Sequence, residues 1–138
     1  MKGMIDPEYL DVLAFNTKFD LPTSVNKAIR LLPKDMGNRL KFMNEELDEL
    51  KEAAATGDMV GICDAMIDLV YVIKGTAVMM GLPWEQLWDA AHRANMAKIN
   101  TGRSVDHKIG IAKPEGWVGP ESDIQDILLQ HGYAGDDV

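Results

Sequence analysis

Ahead of Asn100, apolar residues recur at spacings of three and four, and the breaks between these runs fall on proline, glycine and capping residues. In "DPEYLDVLAFNTKF", Asp6 reads as an N-cap and Pro7 as the first helical residue, which predicts a helix to about Phe19. "PTSVNKAIRLLP" predicts a short second helix that starts near Thr23 or Ser24 and is stopped by Pro33. A long third helix is predicted from Asp35 to Thr56, where Met36, Leu40, Met43, Leu47, Leu50 and Ala54 keep helical spacing and Gly57 supplies the stop. Asp58 caps a fourth that runs to Met80 and ends at Gly81. Its only charges are Asp64, Asp68 and Lys74, and a helix apolar nearly all round is expected to be buried. Pro83 opens a fifth, "PWEQLWDAAHRANMAK", with Trp84, Leu87, Trp88 and Ala91 along one side.

After Asn100 the periodicity stops, Gly, Pro and basic residues take over, and only "ESDIQDILLQHG" reads as a last short helix. No repeat, low-complexity tract or strand pattern interrupts the helical text. The expected fold class is therefore all-α: a compact four- to five-helix bundle with an irregular C-terminal tail. One domain spans residues 1–138, with its core in 7–99 and a basic tail in 100–138.

Composition narrows this picture. The 138 residues suffice for one core, and 46% hydrophobic, 26% charged, 7% aromatic and nine Met suit a soluble helical protein. A net charge of −8 offers no long-range attraction to a nucleic acid polymer or an anionic membrane, so a phosphate-bearing ligand would need a divalent cation to bring it in. The single Cys63 excludes an internal disulfide and a cysteine zinc cluster; between Ile62 and Asp64 it is expected to be a buried, inert thiol. No apolar stretch has signal-peptide form or reaches the roughly 18 residues that span a bilayer, so a cytoplasmic location is expected.

The acids of "NEELDELKEAA" do not share one face. With Glu45 at zero on a wheel of about 100° per residue, the apolar residues of the third helix centre near about 180°. Asp48 and Glu52 fall opposite, as solvated surface, whereas Glu46 and Glu49 flank Phe42 on the shoulder of the buried face and Glu45 is intermediate. In the fourth helix Asp64 and Asp68 stand one turn apart on a face shared with Tyr71 and Gly75. Buried carboxylates need a partner. Either they pair with a cation such as Arg30 or Arg39, or they join the acids of the third helix around a hard, oxygen-preferring ion, for which Mg²⁺ is the best fit and Mn²⁺ a possible substitute. No Glu is followed three places later by His, which disfavours a di-iron bundle. Arg93, Lys98, Arg103, Lys108 and Lys113 form a basic cluster suited to phosphate.

"NEELDEL", "DAMIDLVYVIKGTAVMMGLP", "HRANMAK" and "KPEGWVGP", in this order and spacing, resemble the MazG-like all-α nucleoside triphosphate pyrophosphohydrolases, a superfamily that includes the phosphoribosyl-ATP pyrophosphohydrolases and dimeric dUTPases. The likeness runs from "AFNTKFDLP" to "KPEGW" and is nearest to small bacterial and phage-type members. It implies Mg²⁺-dependent cleavage of a nucleotide between the α and β phosphates to a monophosphate and pyrophosphate. The family's EExxE motif is met by Glu45, Glu46 and Glu49. Its second motif, Glu followed three later by Asp, is met at Asp68 only, since Ala65 stands at the Glu position with Asp64 one place earlier. Asn95 and Lys98 match the family's Asn and Lys.

The resemblance therefore implies a metal set of Glu45, Glu46, Glu49, Asp64 and Asp68, with Glu46 or Glu49 as general base. Asn95, Lys98, Arg103 and Lys113 would hold sugar and phosphate. It also implies a homodimer or homotetramer whose sites can borrow residues from a neighbour. Phosphoribosyl-ATP hydrolysis and a non-catalytic bundle that binds a nucleotide or a partner protein are the alternatives. Trp117 is a candidate for stacking a base, while Trp84 and Trp88 at helical spacing, and the lone His92, read as structural.

Overall fold

The computed structural model describes residues 5–102 and 110–135. Among them are five α-helices: α1 Pro7–Lys18, α2 Pro33–Thr56, α3 Met59–Met80, α4 Trp84–Met96 and α5 Glu121–Gln130. One two-stranded ladder joins β1 Ile99–Asn100 to β2 Ile111–Ala112. The architecture is the all-α bundle the sequence predicts. α2 and α3 form an antiparallel hairpin, α1 lies against α3, and α5 packs on α4.

The helix ends follow local chemistry. The Asp6 carboxylate accepts from Glu8 N at 3.3 Å, with Pro7 as the first residue of α1, and Asp58 accepts from Gly61 N at 3.0 Å at the start of α3. Gly57 and Gly81 take the left-handed conformation, at φ 69° and 64°, which lets their amides close the last turns of α2 and α3.

The predicted helix at Thr23 or Ser24 does not form. Residues 21–32 run as a connector across the C-terminal end of α3, and their amides are spent there. Ser24 N donates to Val78 O at 3.2 Å and Ile29 N to Met80 O at 2.8 Å, while Ala28 N donates to His131 O at 2.8 Å. The Met80 carbonyl is among those a helix C-terminus leaves unpaired, and the Val78 carbonyl, which already accepts from Gly81 N at 3.1 Å, has a second lone pair free, so the connector satisfies acceptor capacity that a local helix would have left to water. Ala28, within the connector, is 1% exposed. Pro33 consequently opens α2 instead of stopping a helix before it.

Three burial expectations are also corrected. The C-terminal half of α3, from Val72 to Val78, is covered on nearly all sides, but its N-terminal half is not: Val60 is 81% exposed, Met59 68% and Ile67 66%. Cys63 lies on this open stretch and is exposed, not buried. Trp88 is likewise exposed at 64%, because α4 turns Ala90 and Ala94 inward. The segment after Asn100 is not wholly irregular, since β2 lies in it and pairs with β1 in antiparallel register.

Candidate functional site

α2 presents Met36, Arg39, Met43, Glu46, Leu50 and Ala53 as its covered positions, a regular three-and-four spacing. On the same wheel these centre near about 130°, about 50° from the centre given by the apolar residues alone. The reason is polar: Arg39 and Glu46 belong to the packed stripe. The Arg39 guanidinium donates to Thr76 Oγ1 and to the Val72 carbonyl, both at 3.1 Å. Leu40 and Leu47 are left at the exposed edge. Glu46 thus stands inside the α2–α3 seam instead of on its shoulder.

Opposite it on α3 is Asp68. Glu46, Glu49 and Asp68 each offer a carboxylate oxygen, and these oxygens all lie within 4.8 Å of one another. Glu46 Oε2 is buried without a hydrogen-bond partner. Burial first, then the charge of Glu49 and a hydrogen bond shared with it, then Asp68 and Asp64, push the Glu46 carboxyl above the usual carboxylate range. Burial, then the charges of Asp64 and Glu49, raise Asp68 in the same way. Three acids held together at this cost, one with an orphaned oxygen, form a donor set that fits a hard divalent cation.

The other sequence candidates are placed differently. Asp64 and Glu45 are outside this three-carboxylate set and exposed, although the charge of Asp64 reaches both Glu46 and Asp68. Asp48 and Glu52 are solvated, Asp48 sitting 4.0 Å from Lys51. Arg39, a possible partner for the α3 acids, is spent on Thr76 and Val72 instead. Asn95 is exposed at the end of α4, a helix whose main neighbour is α5 and not the α2–α3 pair that carries the acids, and Lys98 lies beyond the helix end, just before β1. Lys113 follows β2. Arg103 and Lys108 lie outside the described residues. His92 is exposed on α4.

One feature the sequence reading missed is the partner of Lys74. Its ammonium, at 10% side-chain exposure, reaches Asp6 at 2.5 Å and Glu8 at 2.6 Å, anchoring the start of α1 to α3. Burial alone would lower the Lys74 pKa, but hydrogen bonds and charge from Asp6 and Glu8 outweigh it and leave it raised. Asp6 is lowered in turn, burial being overcome by Lys74. A charge in an otherwise apolar helix was the available sign; the acids that answer it lie far off in the chain. Trp117, the candidate base stacker, has its ring engaged by two lysines, with Lys98 Nζ 5.4 Å and Lys113 Nζ 4.9 Å from the centroid.

A family model described as phosphoribosyl-ATP pyrophosphohydrolase matches residues 14–95, more than half of the chain. No curated protein matches it in sequence. The matched region holds all three clustered carboxylates and ends at Asn95, before Lys98, Lys113 and Trp117.

Proposed function

Because the chain belongs to the phosphoribosyl-ATP pyrophosphohydrolase family, we propose that it is a Mg²⁺-dependent pyrophosphohydrolase acting on nucleoside or deoxynucleoside triphosphates, cleaving between the α and β phosphates to release a monophosphate and pyrophosphate. The observation that carries this reading is the convergence of Glu46, Glu49 and Asp68, with a buried Glu46 oxygen that has no protein partner. Glu46, Glu49 and Asp68 would hold Mg²⁺, or Mn²⁺ in its place, with Asp64 and Glu45 as outer acids. Neutralisation of phosphate charge is what the ion supplies there.

The chain's own groups divide the remaining work. Glu46, fixed in the seam, orients the cluster. Glu49 is exposed at its edge and would take the proton from a water attacking phosphorus in line, with Glu46 the other candidate for that proton. Asn95, Lys98 and Lys113 would bind sugar and phosphate and offset the charge of departing pyrophosphate. Arg103, outside the described residues, would join them as part of the same basic cluster.

A homodimer or homotetramer fits two observations. The acids sit on the α2–α3 pair whereas the lysines flank the β1–β2 ladder, and α3 leaves Val60, Ile67 and Val70 exposed along one stripe, at 81%, 66% and 43%. Among the described residues no single helix is long and apolar enough to cross a membrane. Nucleotide substrates favour a cytoplasmic setting.

The test is release of pyrophosphate against orthophosphate, with and without Mg²⁺, over a panel of NTPs, dNTPs and phosphoribosyl-ATP. Mg²⁺-dependent pyrophosphate from triphosphates is expected. Turnover of phosphoribosyl-ATP alone would establish the second reading, which the family match favours equally, and binding without turnover would leave a non-catalytic nucleotide-binding bundle.

A further inference from the structure

Lys98 precedes β1 and Lys113 follows β2. The ladder pairs Ile99 with Ala112 and Asn100 with Ile111, so one step further along the same register sets Lys98 opposite Lys113. Like charges directly opposite each other across an antiparallel pair are destabilising. Both ammonium groups nevertheless lie against one indole, at 5.4 and 4.9 Å from the Trp117 centroid. Among the described residues neither lysine has a carboxylate within ion-pair distance, although the chain carries a net charge of −8. The indole is itself tied down, since Trp117 Nε1 donates to the Ala94 carbonyl near the end of α4 at 2.8 Å. Trp117 N also closes a turn on Pro114 O at 3.0 Å.

We propose that Trp117 is the positioning residue of an anion subsite, holding Lys98 and Lys113 as a two-ammonium clamp for a diphosphate group. The ring attracts both cations and so lowers the cost of keeping them together, and the Ala94 bond transmits the position of α4 to the clamp. The remaining like-charge repulsion is relieved when an anion carrying more than one charge enters between the ammonium groups. Trp117 thus serves the reaction by aiming lysines, not by stacking a base. The assignment of diphosphate, as opposed to another anion, rests on the pyrophosphohydrolase reading above.

Binding is measured calorimetrically on the full chain with inorganic pyrophosphate, a nucleoside diphosphate and orthophosphate, alongside turnover. Trp117→Leu is expected to weaken pyrophosphate about tenfold and lower kcat/KM by at least a similar factor, while Trp117→Phe recovers most of both losses. Adding Lys113→Ala to Trp117→Leu should cost little more than Lys113→Ala alone, because both act on one clamp. Weakening of the nucleoside diphosphate but not of inorganic pyrophosphate would overturn the clamp in favour of base stacking. Unchanged pyrophosphate affinity in Trp117→Leu, or full additivity with Lys113→Ala, would overturn it outright. Should Trp117→Leu lose its helical circular dichroism, the wild-type lysine ε-methylene NMR resonances decide: pyrophosphate must shift those that the ring already displaces, and a titration that leaves them still sinks the clamp. Loss of turnover in Glu46→Gln with Trp117-independent pyrophosphate binding would reject this inference and keep the proposed function; the converse pattern would do the reverse.

Discussion

Glu46 of α2 and Asp68 of α3 come from opposite sides of a helix hairpin, yet their carboxylate oxygens lie within 4.8 Å of each other and of a Glu49 oxygen. The Glu46 oxygen buried there has no partner. Such an arrangement costs folding free energy and gains from a bound cation. Glu46→Gln should therefore raise the thermal midpoint of metal-free protein, by removing repulsion, while abolishing the stabilisation by Mg²⁺ and lowering turnover by at least about a hundredfold. Thermal scans with and without Mg²⁺ check both halves.

Asp64 and Asp68 are predicted to be unequal. Asp68 is a member of the three-carboxylate set and Asp64 is not. Asp68→Asn should abolish pyrophosphate release, whereas Asp64→Asn, removing only a neighbouring charge, should cost about tenfold or less and raise the Mg²⁺ concentration needed for half-maximal rate. Equal losses in the two variants would place Asp64 in the set.

The pH dependence follows from the raised Glu46 and Asp68 carboxyls, which bind protons more tightly folded than unfolded. Metal-free protein should lose stability as pH climbs from the ordinary carboxylate range, 3.8 to 4.5, through the raised folded values. Saturating Mg²⁺ should reverse that slope, because the cation binds the deprotonated acids. Asp6 works the other way: its lowered pKa contributes stability that is lost as pH falls through the folded value. Lys74, raised, loses its contribution only as strongly alkaline pH passes its folded value. Urea midpoints across pH, with and without Mg²⁺, separate these effects.

Lys74 and Asp6 form a largely buried pair, with 10% and 20% side-chain exposure. Lys74→Met should destabilise by about 2 kcal/mol, below the range for a fully buried pair because Glu8 can return to water. Lys74→Met with Asp6→Asn should recover part of this, since Asn still caps α1 and no charge is stranded. Both are read from urea unfolding.

Two glycines should respond in opposite directions to alanine. Gly81 holds φ 64° and its Cβ would lie 2.5 Å from the Lys27 carbonyl oxygen, so Gly81→Ala should cost more than about 2 kcal/mol. Gly37 is helical with nothing within 4 Å of an added Cβ, and Gly37→Ala should stabilise by about 0.5–1 kcal/mol. Chemical denaturation of the two single variants tests the pair.

The boundaries of α1, α3 and α5, the left-handed stops at Gly57 and Gly81 and the turning of Glu46 and Glu49 toward Asp68 were all readable from the chain. Each depends on interactions within a few residues: a cap, a proline, a glycine conformation, or a helical phase of about 100° per residue. What the apolar count misjudged was the centre of the α2 stripe, because Arg39 and Glu46 pack as part of it and carry no hydrophobic signature.

The decisions left to tertiary structure all involve partners distant in sequence. Residues 21–32 gave up helical bonds for the carbonyls of Val78, Met80 and His131, acceptors that exist only once α3 and α5 have formed and met the connector. Lys74 found Asp6 and Glu8 across the α1–α3 contact, and Asp68 joined the α2 glutamates where Asp64, one turn away, did not. Helical phase tells which way a side chain faces on its own axis. How closely two axes approach, and at what height along each, is set by packing between them, and that decides which of two acids on one face reaches the glutamates of the other helix.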